Sequence, residues 1–167
     1  MTDFWVINAS RIILLAKAEV IHFLPLLCKE LVIPAGVVGE VHNVRITDTA
    51  KAWLEGDGKR FIRMCTTLHP ALAHWRGGAG EAEAISWALQ NPGFTAILDD
   101  RRARAFAKRH GVPVVGSLRI IVLAKERGLI AEAKPALEKL RGAGAYVADE
   151  LIDRAIALAG ESGSNFT

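Results

Sequence analysis

The stretch PGFTAILDDRRARAFAKRHG, residues 92–111, sets a turn, a strand, an acidic corner and a basic helix in immediate succession. Pro92-Gly93 is a turn signal. From Phe94 to Leu98 the chain is nearly all apolar, as a strand buried on both faces must be. Asp99 and Asp100 follow at once. Beyond them Ala103, Phe106 and Ala107 share one helical stripe, Arg101, Arg104 and Lys108 another, and Gly111 ends the helix. A strand running straight into an amphipathic helix is the unit of a parallel α/β sheet. Two adjacent carboxylates repel each other unless a positive charge offsets them, and an arginine or a metal ion would each serve.

The same alternation extends in both directions. DFWVINAS reads as a first strand ending near Ala9, with Ser10 placed to cap the helix RIILLAKA. FLPLLCKE reads as a second helix and LVIP as a short strand closed by Pro34, which suits the first turn of a helix through AGVVGEVHN. DTAKAWLEG predicts a helix and KRFIRMCT an edge strand. GAGEAEAISWALQN opens on glycines and places Ala82, Ile85 and Leu89 at helical core spacing. VPVVGS is a fifth strand, followed by the helices LRIIVLAKERG, KPALEKLRGAG and DELIDRAIALAG; ESGSNFT is too polar to pack and should fray. The division expected is a domain over residues 1–142, a C-terminal helix over 143–160 packed on or extending it, and a flexible tail over 161–167.

Bulk properties agree with one folded domain. The chain has 167 residues, enough to bury about two-thirds of its unfolded surface. Hydrophobic residues make up 51% and charged ones 23%, which excludes a disordered chain. The apolar runs are broken by Arg11, Lys17, Lys29 and Glu30 before the ~18–20 residues of a membrane span, and the N-terminus lacks the order of a secretory signal. Cys28 and Cys65 have no CxxC spacing, so two reduced thiols in a cytoplasmic protein are expected rather than a disulfide or a cysteine-zinc site. The net charge of +3 is compatible with an anionic partner and decides nothing alone.

Parallel sheets gather functional groups outside the carboxyl ends of their strands. Asn8 ends the first strand, Glu40 lies on the helix after the second, Glu81 opens the helix behind GGAG, and Asp99 and Asp100 end the fourth. Carboxylate and amide oxygens from four distant segments suit a hard cation such as Mg²⁺ or Mn²⁺. Glu81 and Glu83 point apart, since two helical residues are separated by about 200°. Glu81 shares its side with Ala84, Ile85 and Ala88, whereas Glu83 aligns with Trp87 and Gln90, the more exposed stripe. Each residue also has a purely structural reading: Glu81 and Glu83 complementing a helix dipole, Glu40 on a solvated face, Asp99 as a helix cap, Asn8 in a turn, and the basic run as a solvated helix surface.

VINAS, VIPAGVVGEV, GEAEAISWAL and ILDDRRARAFAKRHGVPVVGS, in this order over roughly residues 4–130, resemble the PIN-domain family, particularly its VapC-related branch. The resemblance implies a three-layer α/β/α sandwich with a central, mainly parallel sheet. It also implies Mg²⁺- or Mn²⁺-dependent cleavage of RNA, the role of toxin in a toxin–antitoxin pair, an antitoxin protein as partner, and a homodimer. Carried over by position, the metal ligands fall on Asn8, Glu40, Glu81 and Asp99. Asp100 and Glu83 are auxiliaries, and Ser10 and Ser117 are small hydroxyl residues near the site. Asn8 stands where the family usually has an aspartate, and Arg11 where a proline is frequent.

In the implied chemistry the catalytic set is Glu40, Glu81, Asp99 and Asp100, with Asp100 positioning or deprotonating the attacking water. Arg101, Arg104 and Lys108 steer the phosphate backbone without reading bases. The competing reading is a PIN-like RNA- or protein-binding module whose catalysis is impaired by Asn8. A phosphoacceptor domain similar to response regulators ranks below both, because the acidic pair follows the fourth strand and not the first.

Overall fold

A computed structural model describes residues 3–36, 38–39, 48–65, 67–143 and 148–161. Its strands are β1 (Phe4–Ile7), β2 (Glu30–Pro34), β3 (Ile62–Arg63), β4 (Phe94–Ile97) and β5 (Val114–Val115). They form one sheet in the order β3-β2-β1-β4-β5, and every neighbouring pair is parallel. Phe4 of β1 stands opposite Glu30 on one side and Phe94 on the other. The chain winds outward from β1 to β3 and then returns to place β4 on the other side of β1. The point where the winding reverses therefore lies between β1 and β4, the position where open α/β sheets leave a crevice.

Among the described residues eight helices cover the two faces: α1 (Ala9–Lys17), α2 (Leu24–Leu27), α3 (Asp48–Glu55), α4 (Ala79–Gln90), α5 (Arg101–Arg109), α6 (Ser117–Glu126), α7 (Ala133–Gly142) and α8 (Asp149–Leu158). Side-chain alternation along each strand assigns the layers. Trp5, Ile7, Leu31, Ile33 and Ile97 face a core built with α1, α2, α3, α6, α7 and α8. Val6, Val32, Ala96 and Leu98 face the opposite core, built with α4 and α5. That second layer is lined by Ala82, Ala84, Ala88, Ala103 and Ala107, whose small side chains let its helices lie close to the sheet. The result is the α/β/α sandwich that the sequence resemblance implies. Each fully buried Ile or Leu of the strands contributes about 1.5–3 kcal/mol.

Two local expectations are refined. FLPLLCKE is a single 3₁₀ turn (Ile21–Phe23) and the one turn of α2, not a full helix. Cys28 is already extended, and the Lys29 N–H donates to the Asp3 carbonyl, so the chain has entered the sheet by then. The first helix is capped by Asn8, whose side chain accepts the Arg11 N–H, and Ser10 sits inside its first turn. The end of α5 follows the sequence: Gly111 has φ +77°, the Gly111 N–H donates to the Lys108 carbonyl and the Val112 N–H to that of Ala107. No helix among the described residues is long and apolar enough to cross a membrane. Cys28 and Cys65 are unbridged, and burial pushes the Cys28 thiol up to about 12. Residues 162–167 of the expected tail lie outside the described residues.

Helix α8 buries Ile152, Ala155 and Ile156 in the first core, and Glu161 ties its end down. The Glu161 carboxylate accepts Lys125 Nζ at 2.8 Å and the Ala133 and Lys134 N–H groups at 2.5 and 3.1 Å, capping α7 from a distance. Burial works to raise its pKa, but the Lys125 and backbone hydrogen bonds prevail and hold it below the usual carboxylate value. A depressed carboxylate stabilises the fold above its unfolded pKa, and that stability is lost as pH falls through the lowered value. Glu161→Ala should therefore cost about 1–3 kcal/mol near neutrality. Thermal unfolding followed by circular dichroism should show the gap to wild type closing in acid.

Candidate functional site

Three helices begin where β1, β4 and β5 end, so their N-termini converge on one edge of the sheet. Asn8 follows β1 and is buried. Its Oδ1 accepts the Arg11 N–H at 3.1 Å and the Ser10 hydroxyl at 3.2 Å. Asp100 caps α5, accepting the Ala103 N–H at 2.8 Å. Because Asp100 takes the cap, Asp99 is left to bridge sideways to α6. Asp99 Oδ1 accepts the Ser117 N–H at 2.8 Å and Oδ2 accepts the Ser117 hydroxyl at 2.6 Å. Ser117 is itself buried, and the start of α6 adds a favourable dipole to the carboxylate.

A guanidinium also reaches this carboxylate. Arg11 Nη1 donates to Asp99 Oδ2 in an ion pair between residues 88 apart in sequence. Arg104 Nη1 donates to the Leu98 carbonyl at 2.8 Å and so braces the strand end. Gly116 fits closely against this corner: a Cβ there would stand 3.0 Å from Asp99 Oδ1 and 3.2 Å from Arg104 Nη1, so both side chains would have to give way slightly. Of the three cations expected to meet RNA, Arg104 is thus held inside the corner. Arg101 and Lys108 are exposed.

Glu81 is half-buried in the first turn of α4, with its carboxylate lying back toward Gly78. It shares a cavity of about 700 Å³ with Ser10, Arg11, Asp99, Asp100 and Ser117. Arg11 apart, these are residues selected from the sequence, and the structure brings them together. Glu83 points elsewhere: its carboxylate packs on Gly36, where a Cβ would come within 2.0 Å of Oε1. Like Glu81 it is half-buried, and the Gly36 backbone lies against its carboxylate. The Cys65 thiol is raised first by burial and then by the Glu83 charge, which places Glu83 on the β2 side. Glu40 lies outside the described residues.

The donors around the 700 Å³ cavity are hard oxygens, and their chemistry fits Mg²⁺ or Mn²⁺. Among the described residues no group of three or more His, Cys, Asp or Glu side chains stands ready to hold an ion. The cationic partner present on Asp99 is Arg11. Sequence reasoning gave Arg11 no part beyond its departure from proline. Its link to Asp99 is a long-range contact with no local signature. A second cavity, of about 730 Å³, adjoins the first across Glu81 and Asp100 and is lined by Trp75, Arg76, Arg102, Phe106 and Arg109. Its signal was present in the i, i+3, i+4, i+7 spacing of Arg102, Ala105, Phe106 and Arg109.

A parallel sheet wound 3-2-1-4-5, with carboxylates gathered at the reversal point, defines an open α/β domain with its candidate site at the switch point. A family model described as DUF3368: PIN domain matches residues 4–161, nearly the whole chain. The protein belongs to the PIN-domain family, a nuclease superfamily whose members generally use divalent metal ions. No curated protein and no solved structure matches the chain.

Proposed function

We propose that the protein is a metal-dependent endoribonuclease acting at the Asp99 corner. The observation carrying this reading is the single cavity shared by Glu81, Asp99 and Asp100, with Arg11 and Arg101 on its wall. Glu81 and Asp99 would hold Mg²⁺ or Mn²⁺, with Glu40 as a further ligand. A divalent ion there would polarise the phosphodiester and ease deprotonation of the attacking water. Ser117 fixes Asp99 through both its N–H and its hydroxyl, so the carboxylate is oriented before substrate arrives. Asp100 keeps one oxygen on the Ala103 N–H, and its other oxygen would accept the proton of that water. Arg101 and Lys108 would bind phosphates flanking the cleaved bond. A toxin role, an antitoxin partner, a homodimer and a cytoplasmic setting rest on the family resemblance.

The second reading, a binding module with impaired catalysis, is favoured by one observation: the Asn8 oxygen is spent on the Arg11 N–H and the Ser10 hydroxyl. Aspartate caps helices as well as asparagine does, so Asn8→Asp should fold normally while adding a charge at the corner. Labelled single-stranded RNA incubated with Mg²⁺ or Mn²⁺, and in parallel with EDTA, tests the nuclease. Cleavage that requires metal is expected of the wild type. An inactive wild type rescued by Asn8→Asp would establish the second reading, and equal cleavage in EDTA would exclude metal dependence.

A further inference from the structure

We propose that the second cavity is a base-binding subsite, which takes an unpaired nucleobase of RNA next to the phosphate presented to the Asp99 corner. The inference rests on the ribonuclease reading for the identity of the polymer, but on different residues for the contact. At about 730 Å³ the cavity has the size of a small-ligand site. Glu81 and Asp100 line it and the acidic cavity alike, so the two cavities adjoin along these residues.

Its walls combine the two features that single-stranded nucleic acid requires, aromatic faces and spaced positive charge. Trp75 and Phe106 are half-buried and meet edge to face, with ring centroids 5.1 Å apart. The indole is positioned by contacts of its own loop. Its Nε1–H donates to the Gly78 carbonyl at 3.1 Å, and the Gly77 backbone lies flush on the ring, where a Cβ would stand 2.2 Å from Cζ2. A ring fixed in this way loses little entropy when a base stacks on it.

Arg76, Arg102 and Arg109 surround the rings and are exposed, and none is paired with a carboxylate among the described residues. Arg109 also lies 6.0 Å over the Phe106 ring. Three guanidiniums outnumber the two carboxylates, Glu81 and Asp100, that line the same cavity, and they suit phosphates on either side of a stacked base. A duplex keeps its bases stacked inside, so the subsite selects single strands.

The test is fluorescence-anisotropy binding of a short labelled RNA in EDTA, which separates binding from cleavage. Trp75→Ala should weaken single-strand binding roughly tenfold to a hundredfold, and Trp75→Phe should retain most of it. An RNA with one abasic nucleotide should bind the wild type more weakly and be insensitive to Trp75→Ala. Equal loss in Trp75→Phe and Trp75→Ala would mean that the indole only shapes its loop, and would overturn the proposal. So would duplex RNA binding as tightly as single strands. Wild type that cleaves RNA with no effect of Trp75→Ala would refute the subsite and leave the nuclease standing. Base-dependent binding without metal-dependent cleavage would do the reverse, and the absence of both binding in EDTA and cleavage in Mg²⁺ or Mn²⁺ would refute both.

Discussion

Asp99→Asn should fold like wild type and lose RNA cleavage by about a hundredfold to a thousandfold, the scale seen when one preorganised electrostatic group is removed from a transition state. The fold should survive because asparagine can replace both bonds to Ser117. Its carbonyl accepts the Ser117 N–H, and its amide donates to the Ser117 hydroxyl, where Asp99 now accepts at 2.8 and 2.6 Å. What disappears is the charge, and with it the attraction for a divalent ion and for Arg11. Cleavage of a labelled single strand, with circular dichroism on the same samples, separates the two effects. Wild-type cleavage in the variant would remove Asp99 from the mechanism.

Arg11→Met should tighten Mn²⁺ binding by about tenfold. The guanidinium already neutralises Asp99, so an ion arriving there must break a charge-assisted hydrogen bond. Both partners are partly exposed, 20% for Arg11 and 30% for Asp99, so the gain is smaller than for a buried pair. Methionine keeps the packing of the side-chain stem while removing the cation. Titration calorimetry with Mn²⁺ reads the affinity directly, without reference to turnover. In the absence of metal the same variant should lose thermal stability, since Asp99 then lacks its counter-charge. An unchanged or weaker affinity would make Arg11 a spectator.

The sandwich was legible because a sheet buried on both faces needs continuous apolar strands, which FWVI, ELVIP and FTAIL supply. The gathering of Glu81, Asp99 and Asp100 was legible for a related reason, since parallel topology sends every strand end to the same edge, whereas Ser117 was placed there by the family resemblance alone. The division of labour between Asp99 and Asp100 was not. It turns on which residue takes the helix cap, and caps are ambiguous by a residue in any sequence. A similar shift, here of two residues, assigned the first cap to Ser10, while the structure gives it to Asn8. Helical phase put Glu83 on the more exposed stripe with Trp87 and Gln90, and what phase alone could not show is the packing of its carboxylate on Gly36. Of the aromatic cavity only the α5 side, Arg102, Phe106 and Arg109, had a signal in the sequence, because Trp75 comes from a segment that meets α5 only in the fold.

Mn²⁺ titrated calorimetrically into wild type and into the Glu81→Ala, Asp99→Ala double variant tests the central claim most directly. Saturable binding by wild type that vanishes in a folded double variant is the result predicted. Equal binding by the two proteins, or none by either, would contradict a metal site at the Asp99 corner and leave its carboxylates as helix caps and ion-pair partners.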